Sequence, residues 1–142
     1  GIYNMNKETA TPERYYLGLA TFENFWGEDL SSVVIEHYVN NLSNSRTKKY
    51  PSSQTLSNIA NKAVMKDIFA FKYEIGINDS YDYWVVEITT KSGKKYRTKS
   101  SFYCSITFED KGKVVLGVNG DFKRLYVHFP SSSDCSTAFN EV

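Results

Sequence analysis

The chain has 142 residues, with 17 basic against 16 acidic side chains and a formal charge of +1, a length that buries roughly two thirds of the unfolded surface in one domain without a metal. So small a net charge supplies no field to gather nucleic acid or an anionic membrane surface. The longest wholly apolar runs, such as Val33 to Ile35, are far too short to cross a bilayer as a helix.

The chain opens on Gly1 rather than Met, and residues 1–10 are polar and without period. They read as a lead-in to a piece of a longer protein, so any leader or anchor before them is invisible. A helix is expected next. Thr11 can cap it, Pro12 suits its first position, and Tyr15, Leu19, Phe22 and Trp26 recur at spacings of four, three and four. Gly27 ends that stripe. Glu28 or Asp29 then opens a second helix carrying Leu30, Val33, Val34, His37, Tyr38 and Leu42. As neighbours on a helix the two acids point about 100° apart, which favours capping over shared acid–base or metal chemistry.

Residues 43–54, SNSRTKKYPSSQ, read as a solvated polar loop with Arg46, Lys48 and Lys49. A shorter helix is expected from Ser53 to Asp67, with Leu56, Ile59, Ala60 and Val64 on one face. Thereafter the period becomes two. Phe69, Phe71, Tyr73, Ile75 and Ile77 form one face of a strand that turns at Asn78 to Ser80. Trp84, Val86 and Ile88 alternate with Tyr83, Val85 and Glu87 before a hairpin turn at Lys91 to Lys94. A long third strand runs from Tyr96 to Phe108. Lys113 to Val118 is apolar on both faces, and Asn119–Gly120 is a turn pair. The last strand points Leu125, Val127 and Phe129 inward and Arg124, Tyr126 and His128 outward, and it stops at Pro130. Residues 131–142 read as a Ser-rich tail, leaving 11–130 as one domain.

Helices followed by consecutive strands predict an α+β fold: two or three N-terminal helices packed on a curved antiparallel sheet of four to five strands. That order, with TPERYYLGLATFENFWGEDLSSVV (Thr11–Val34) and its Gly27–Glu28 pair followed by Asp29, resembles the cystatin-like, nuclear-transport-factor-2-like superfamily. The resemblance implies a cone-shaped fold. It also implies a place among small-molecule isomerases, binding domains, envelope lipoproteins and scaffold domains of conjugation and secretion machines. The superfamily's enzymes set an Asp–His or Asp–Tyr constellation inside the cone, whereas the inward phases here carry Phe, Ile, Val, Leu and Tyr.

Candidate sites follow from residue type. His37 has no acid partner at its own spacing and reads as a core or boundary histidine. The two histidines lack metal-ligand spacing, so no catalytic, metal or cofactor set is expected. Tyr83, Arg97, Lys99, Tyr103, Arg124, Tyr126 and His128 fall on the outer phase of the expected sheet, a Tyr and Arg mixture that suits a protein interface or simple cross-strand pairing. Cys104 and Cys135 either stay thiols or bridge, which would add about 3–4 kcal/mol. The expected function is a non-catalytic protein-binding or assembly domain of a cell-envelope or secreted protein, homo-oligomeric or not. The alternatives are an immunity or inhibitor protein that blocks a toxin or enzyme, and a small-molecule binder or isomerase using the cone interior.

Overall fold

The computed structural model describes residues 14–41, 44–76 and 80–142, and their side chains except at 41 and 44–47. The lead-in, the cap at Thr11 and Pro12, Leu42, the Arg46 side chain and the turn at Asn78 lie outside what is described. Nine strands and one turn of 3-10 helix make up the rest. The strands are β1 (Tyr16–Phe25), β2 (Leu30–Asn41), β3 (Asn44–Ile59), β4 (Val64–Tyr73), β5 (Ser80–Thr90), β6 (Lys95–Thr98), β7 (Lys113–Asn119), β8 (Arg124–His128) and β9 (Cys135–Glu141), and the 3-10 turn is Phe108–Asp110.

They form one sheet in the order β3-β2-β5-β6-β9-β8-β7-β1-β4. β1 and β7 run parallel, and every other neighbouring pair is antiparallel. The end strands β3 and β4 approach each other, so the sheet is a nearly closed barrel. The expected α+β fold is therefore wrong. Among the described residues there is no α-helix, and the cone of the cystatin-like and nuclear-transport-factor-2-like proteins, which needs helices beneath its sheet, is not this architecture. No helix among them is long and apolar enough to cross a membrane, a statement that does not extend to strands.

The physical reason lies in β1. Its inward positions Ala20, Phe22 and Asn24 are buried, while Leu17, Leu19 and Phe25 point outward. Apolar residues on both faces hide the alternation and leave a four-three-four spacing that mimics a helical stripe. In β2, Leu30, Val33, Ile35, His37 and Val39 point inward, and the β-branched run Val33–Ile35 favours the pleated backbone. The supposed loop and third helix become β3, a turn and the start of β4. β3 is polar because it lies at an end of the sheet, where Pro51 costs no central ladder bond.

The expected order of consecutive hairpins holds only from β5 to β6 and from β7 to β8. Gly93, with φ of 95°, closes the first of these turns. The long third strand ends at Thr98, and residues beyond it run as an extended segment held by single contacts, among them the Tyr83–Tyr103 bridge. The supposed tail supplies β9, hydrogen-bonded to both β6 and β8 in mid-sheet. Cys104 and Cys135 form a disulfide with a Cα–Cα distance of 6.0 Å, tying the extended segment to the start of β9.

The interior is filled by side chains from all around the sheet, including the fully buried Phe22, Phe69, Phe71, Trp84, Leu116 and Leu125. Gly27, with φ of 107°, turns the chain from β1 toward β2. Beside it, in the β7–β8 turn, Gly120 sits against the Trp26 carbonyl, where a Cβ would collide with that backbone.

Candidate functional site

Inside the barrel the buried His37 ring lies between Phe71 and Trp84, 4.8 and 4.5 Å away between centroids. Its Nε2 meets the Asp82 carboxylate at 2.7 Å, and the other Asp82 oxygen accepts the Ile106 backbone N–H at 3.1 Å. The acid partner that β2 lacked in sequence thus comes from β5, one strand away and 45 residues on. The pair is sealed from solvent and anchors the extended segment, which makes it structural. The cone interior expected for a small-molecule binder or isomerase is replaced by this packing. Among the described residues, no group of three or more His, Cys, Asp or Glu side chains is placed to hold a metal.

Glu28 and Asp29 open no helix. Glu28 accepts the Ser92 backbone N–H at 3.1 Å, and Asp29 accepts that of Asn61 at 2.8 Å, so each pins a different loop.

The seven residues expected on one outer face separate into two groups, because β6 and β9 stand between β5 and β8. Tyr83 stacks on Tyr38 at 5.0 Å, and Tyr103 covers it at 5.6 Å, with Tyr81 packed edge-on against Tyr103 at 4.8 Å. Burial first, then the neighbouring phenols, push the Tyr83 hydroxyl above its ordinary pKa, so it stays a neutral donor. Arg97 pairs with Glu87 at 3.2 Å, and Lys99 is exposed just beyond β6. This half is largely self-satisfied.

The second half is different. On the outer face of β4, β1, β7 and β8, three registered rows run side by side. Ala70, Leu19 and Lys113 make one; Thr21, Val115 and His128 the next; Val64, Glu23, Gly117, Tyr126 and Ser136 the third. Phe25, Asn119, Arg124 and Ala138 form a fourth row at the end of the strands. Arg124 donates from Nε to the Ser136 hydroxyl at 3.1 Å. In these rows Phe25 is 46%, Tyr126 38% and Leu19 37% exposed, and Leu17, two residues before Leu19 on the same face, is 70% exposed.

His128 Nδ1 lies 2.7 Å from Asp134 Oδ2, both groups exposed. Asp134 is set there by a buried carboxylate nearby. Asp110 accepts the backbone N–H groups of Thr107, Ser131 and Ser132 at 2.9, 2.9 and 2.8 Å and the Ser132 hydroxyl at 2.6 Å. Burial alone would raise the Asp110 pKa, but the Ser132 hydroxyl and these backbone donors outweigh it and hold the carboxyl below its ordinary value. The loop from Ser131 to Asp134 is thereby fixed beside β8. Among the described residues, no hydroxyl or thiol is bonded to the His128–Asp134 pair, which therefore lacks the third member of a nucleophilic triad.

The role of β1 in this face is not visible in the sequence, because the four-three-four spacing of Tyr15, Leu19, Phe22 and Trp26 mimics a helical stripe. The signal that could have revealed it is the period-two set Leu17, Leu19, Thr21, Glu23 and Phe25 read against the buried Ala20, Phe22 and Asn24. No family model matches the chain, and no curated protein is detectably similar to it in sequence.

Proposed function

We propose that this chain is a non-catalytic protein-binding module of a secreted or cell-envelope protein, and that it holds its partner with the outer face of β1, β7 and β8. One observation carries the reading: on β1, a strand hydrogen-bonded on both sides, Leu17, Leu19 and Phe25 point outward and stand open to solvent. Uncovered apolar residues that adjoin one another on a rigid face mark an interaction site, and Tyr and Arg beside them are the side chains that dominate such interfaces. The Cys104–Cys135 disulfide supports an oxidising compartment, since cytosolic thiols are kept reduced.

The test combines Leu19→Glu with Tyr126→Ala in the full chain. Both side chains are little more than a third exposed, so each change should cost about 1 kcal/mol, too little to unfold a domain held by roughly 5–15 kcal/mol. Capture of the partner from the cells that make the protein should be lost. Capture at the wild-type level by the folded double variant would remove this face from the function.

A further inference from the structure

Gly117 stands in direct register between Glu23 on β1 and Tyr126 on β8. With neighbouring strands about 4.8 Å apart, the Cα atoms of those two residues lie about 10 Å from each other. The missing side chain at Gly117 opens the space between them, and Glu23 Oε1 reaches over it, 3.8 Å from where a Cβ would stand. The result is a slot of about 280 Å³ whose walls include Glu23, Phe25, Tyr126, His128 and Asp134, with Gly117 as the floor.

The chemistry of the walls selects the occupant. Among the described residues the Glu23 carboxylate has no ion-pair partner. Asp134 adds a second carboxylate, offset by His128 only when that ring is protonated. Phe25 and Tyr126 present half-exposed rings whose faces carry negative potential. Carboxylates and ring faces together repel anions and attract a cation, and most strongly a flat one that can stack and donate in a fork. Of the neighbouring cations, Lys113 is paired with Asp67 at 3.1 Å, while Arg124, one row along, turns its Nε to the neutral Ser136 hydroxyl and keeps its charge, a single cation against the two carboxylates. A peptide cannot enter by adding a strand, because β1, β7 and β8 are each hydrogen-bonded on both sides. Recognition must come through an inserted side chain.

We infer that the slot over Gly117 receives an arginine side chain of the protein partner, its guanidinium paired with Glu23 and stacked on Tyr126. The inference rests on the protein-binding reading and adds the residue that anchors the partner. The probe is the tripeptide acetyl-Gly-Arg-Gly-amide, titrated into the isotopically labelled full chain and followed at the Gly117 amide by NMR. The control is the same peptide with citrulline, which keeps the shape and loses the charge.

The arginine peptide should shift Gly117 saturably in the millimolar range. Citrulline should bind at least about tenfold more weakly, the difference expected of one charge-assisted contact. Glu23→Gln should reduce the arginine peptide to the citrulline level, and Gly117→Val should abolish both by filling the floor. An unmoved Gly117, equal binding of the two peptides, or no effect of Glu23→Gln overturns the inference. So does a methyl glycoside that shifts Gly117 where the arginine peptide does not, since the slot would then be a sugar site. If the arginine peptide fails while Leu19→Glu still destroys capture, the interface stands and only its anchor is wrong. If the peptide seats but capture survives Leu19→Glu, the slot stands and the interface lies elsewhere.

Discussion

Replacing Asp82 by Ala isolates the polar contact at the centre of the barrel. The carboxylate is buried and serves two buried donors, His37 Nε2 at 2.7 Å and the Ile106 N–H at 3.1 Å. Its removal strands both. Each buried donor left without an acceptor costs about 1–3 kcal/mol, and breaking a buried pair from one side costs about 3–5 kcal/mol, so the two routes agree on a loss near the latter range. For a domain of this size that corresponds to a fall of about 10–20 °C in Tm, a large share of the roughly 5–15 kcal/mol that holds such a domain folded. Urea unfolding followed by tryptophan fluorescence measures it, because Trp84 packs 4.5 Å from the His37 ring. Asp82→Asn, which keeps one acceptor oxygen, should lose clearly less than Asp82→Ala. A loss under about 1 kcal/mol for Asp82→Ala would mean that water reaches the pair, and the sealed-core argument would be refuted.

Replacing Cys104 and Cys135 together by Ala should lower stability by about 3–4 kcal/mol, from the 31-residue separation that the bond closes; denaturant midpoints with and without reductant should converge for the variant and differ for the wild type. Asp110 governs acid stability, since its folded pKa lies below the ordinary 3.8. Its contribution is complete above that value and is lost as the pH falls through the folded pKa, so Asp110→Asn should flatten the stability curve below about pH 4. Unfolding midpoints between pH 2 and 6 give the comparison. Gly120→Ala should cost about 1–3 kcal/mol, because the new methyl meets the Trp26 carbonyl; an unchanged thermal midpoint would show that the β7–β8 turn can move away.

The sequence was legible where one face is wet. In β8 the inward Leu125 and Val127 alternate with the outward Arg124, Tyr126 and His128, and the period is read directly. It failed in β1, where Leu17, Leu19 and Phe25 point outward while Ala20 and Phe22 point inward. Apolar residues on both faces disguise that strand. β3 failed for the opposite reason: its Ser, Thr and Lys residues suit a strand at the end of the sheet but carry too little apolar contrast to show any period. The His37–Asp82 contact was beyond reach because it depends on which strands become neighbours, and β2 pairs with β5 to join residues 45 positions apart. The slot over Gly117 depends on the parallel β1–β7 ladder, for which local pattern carries no signal.

The placement of β9 has a consequence for how the molecule comes into being. Without Cys135 to Glu141 the hydrogen-bonded ladders fall into two groups, β3-β2-β5-β6 and β8-β7-β1-β4, each with a raw margin where the missing strand belongs. Such margins invite pairing with other chains. A molecule whose ninth strand has not docked is thus the form most open to self-association, and seating that one segment joins the two incomplete ladders into one cooperative unit.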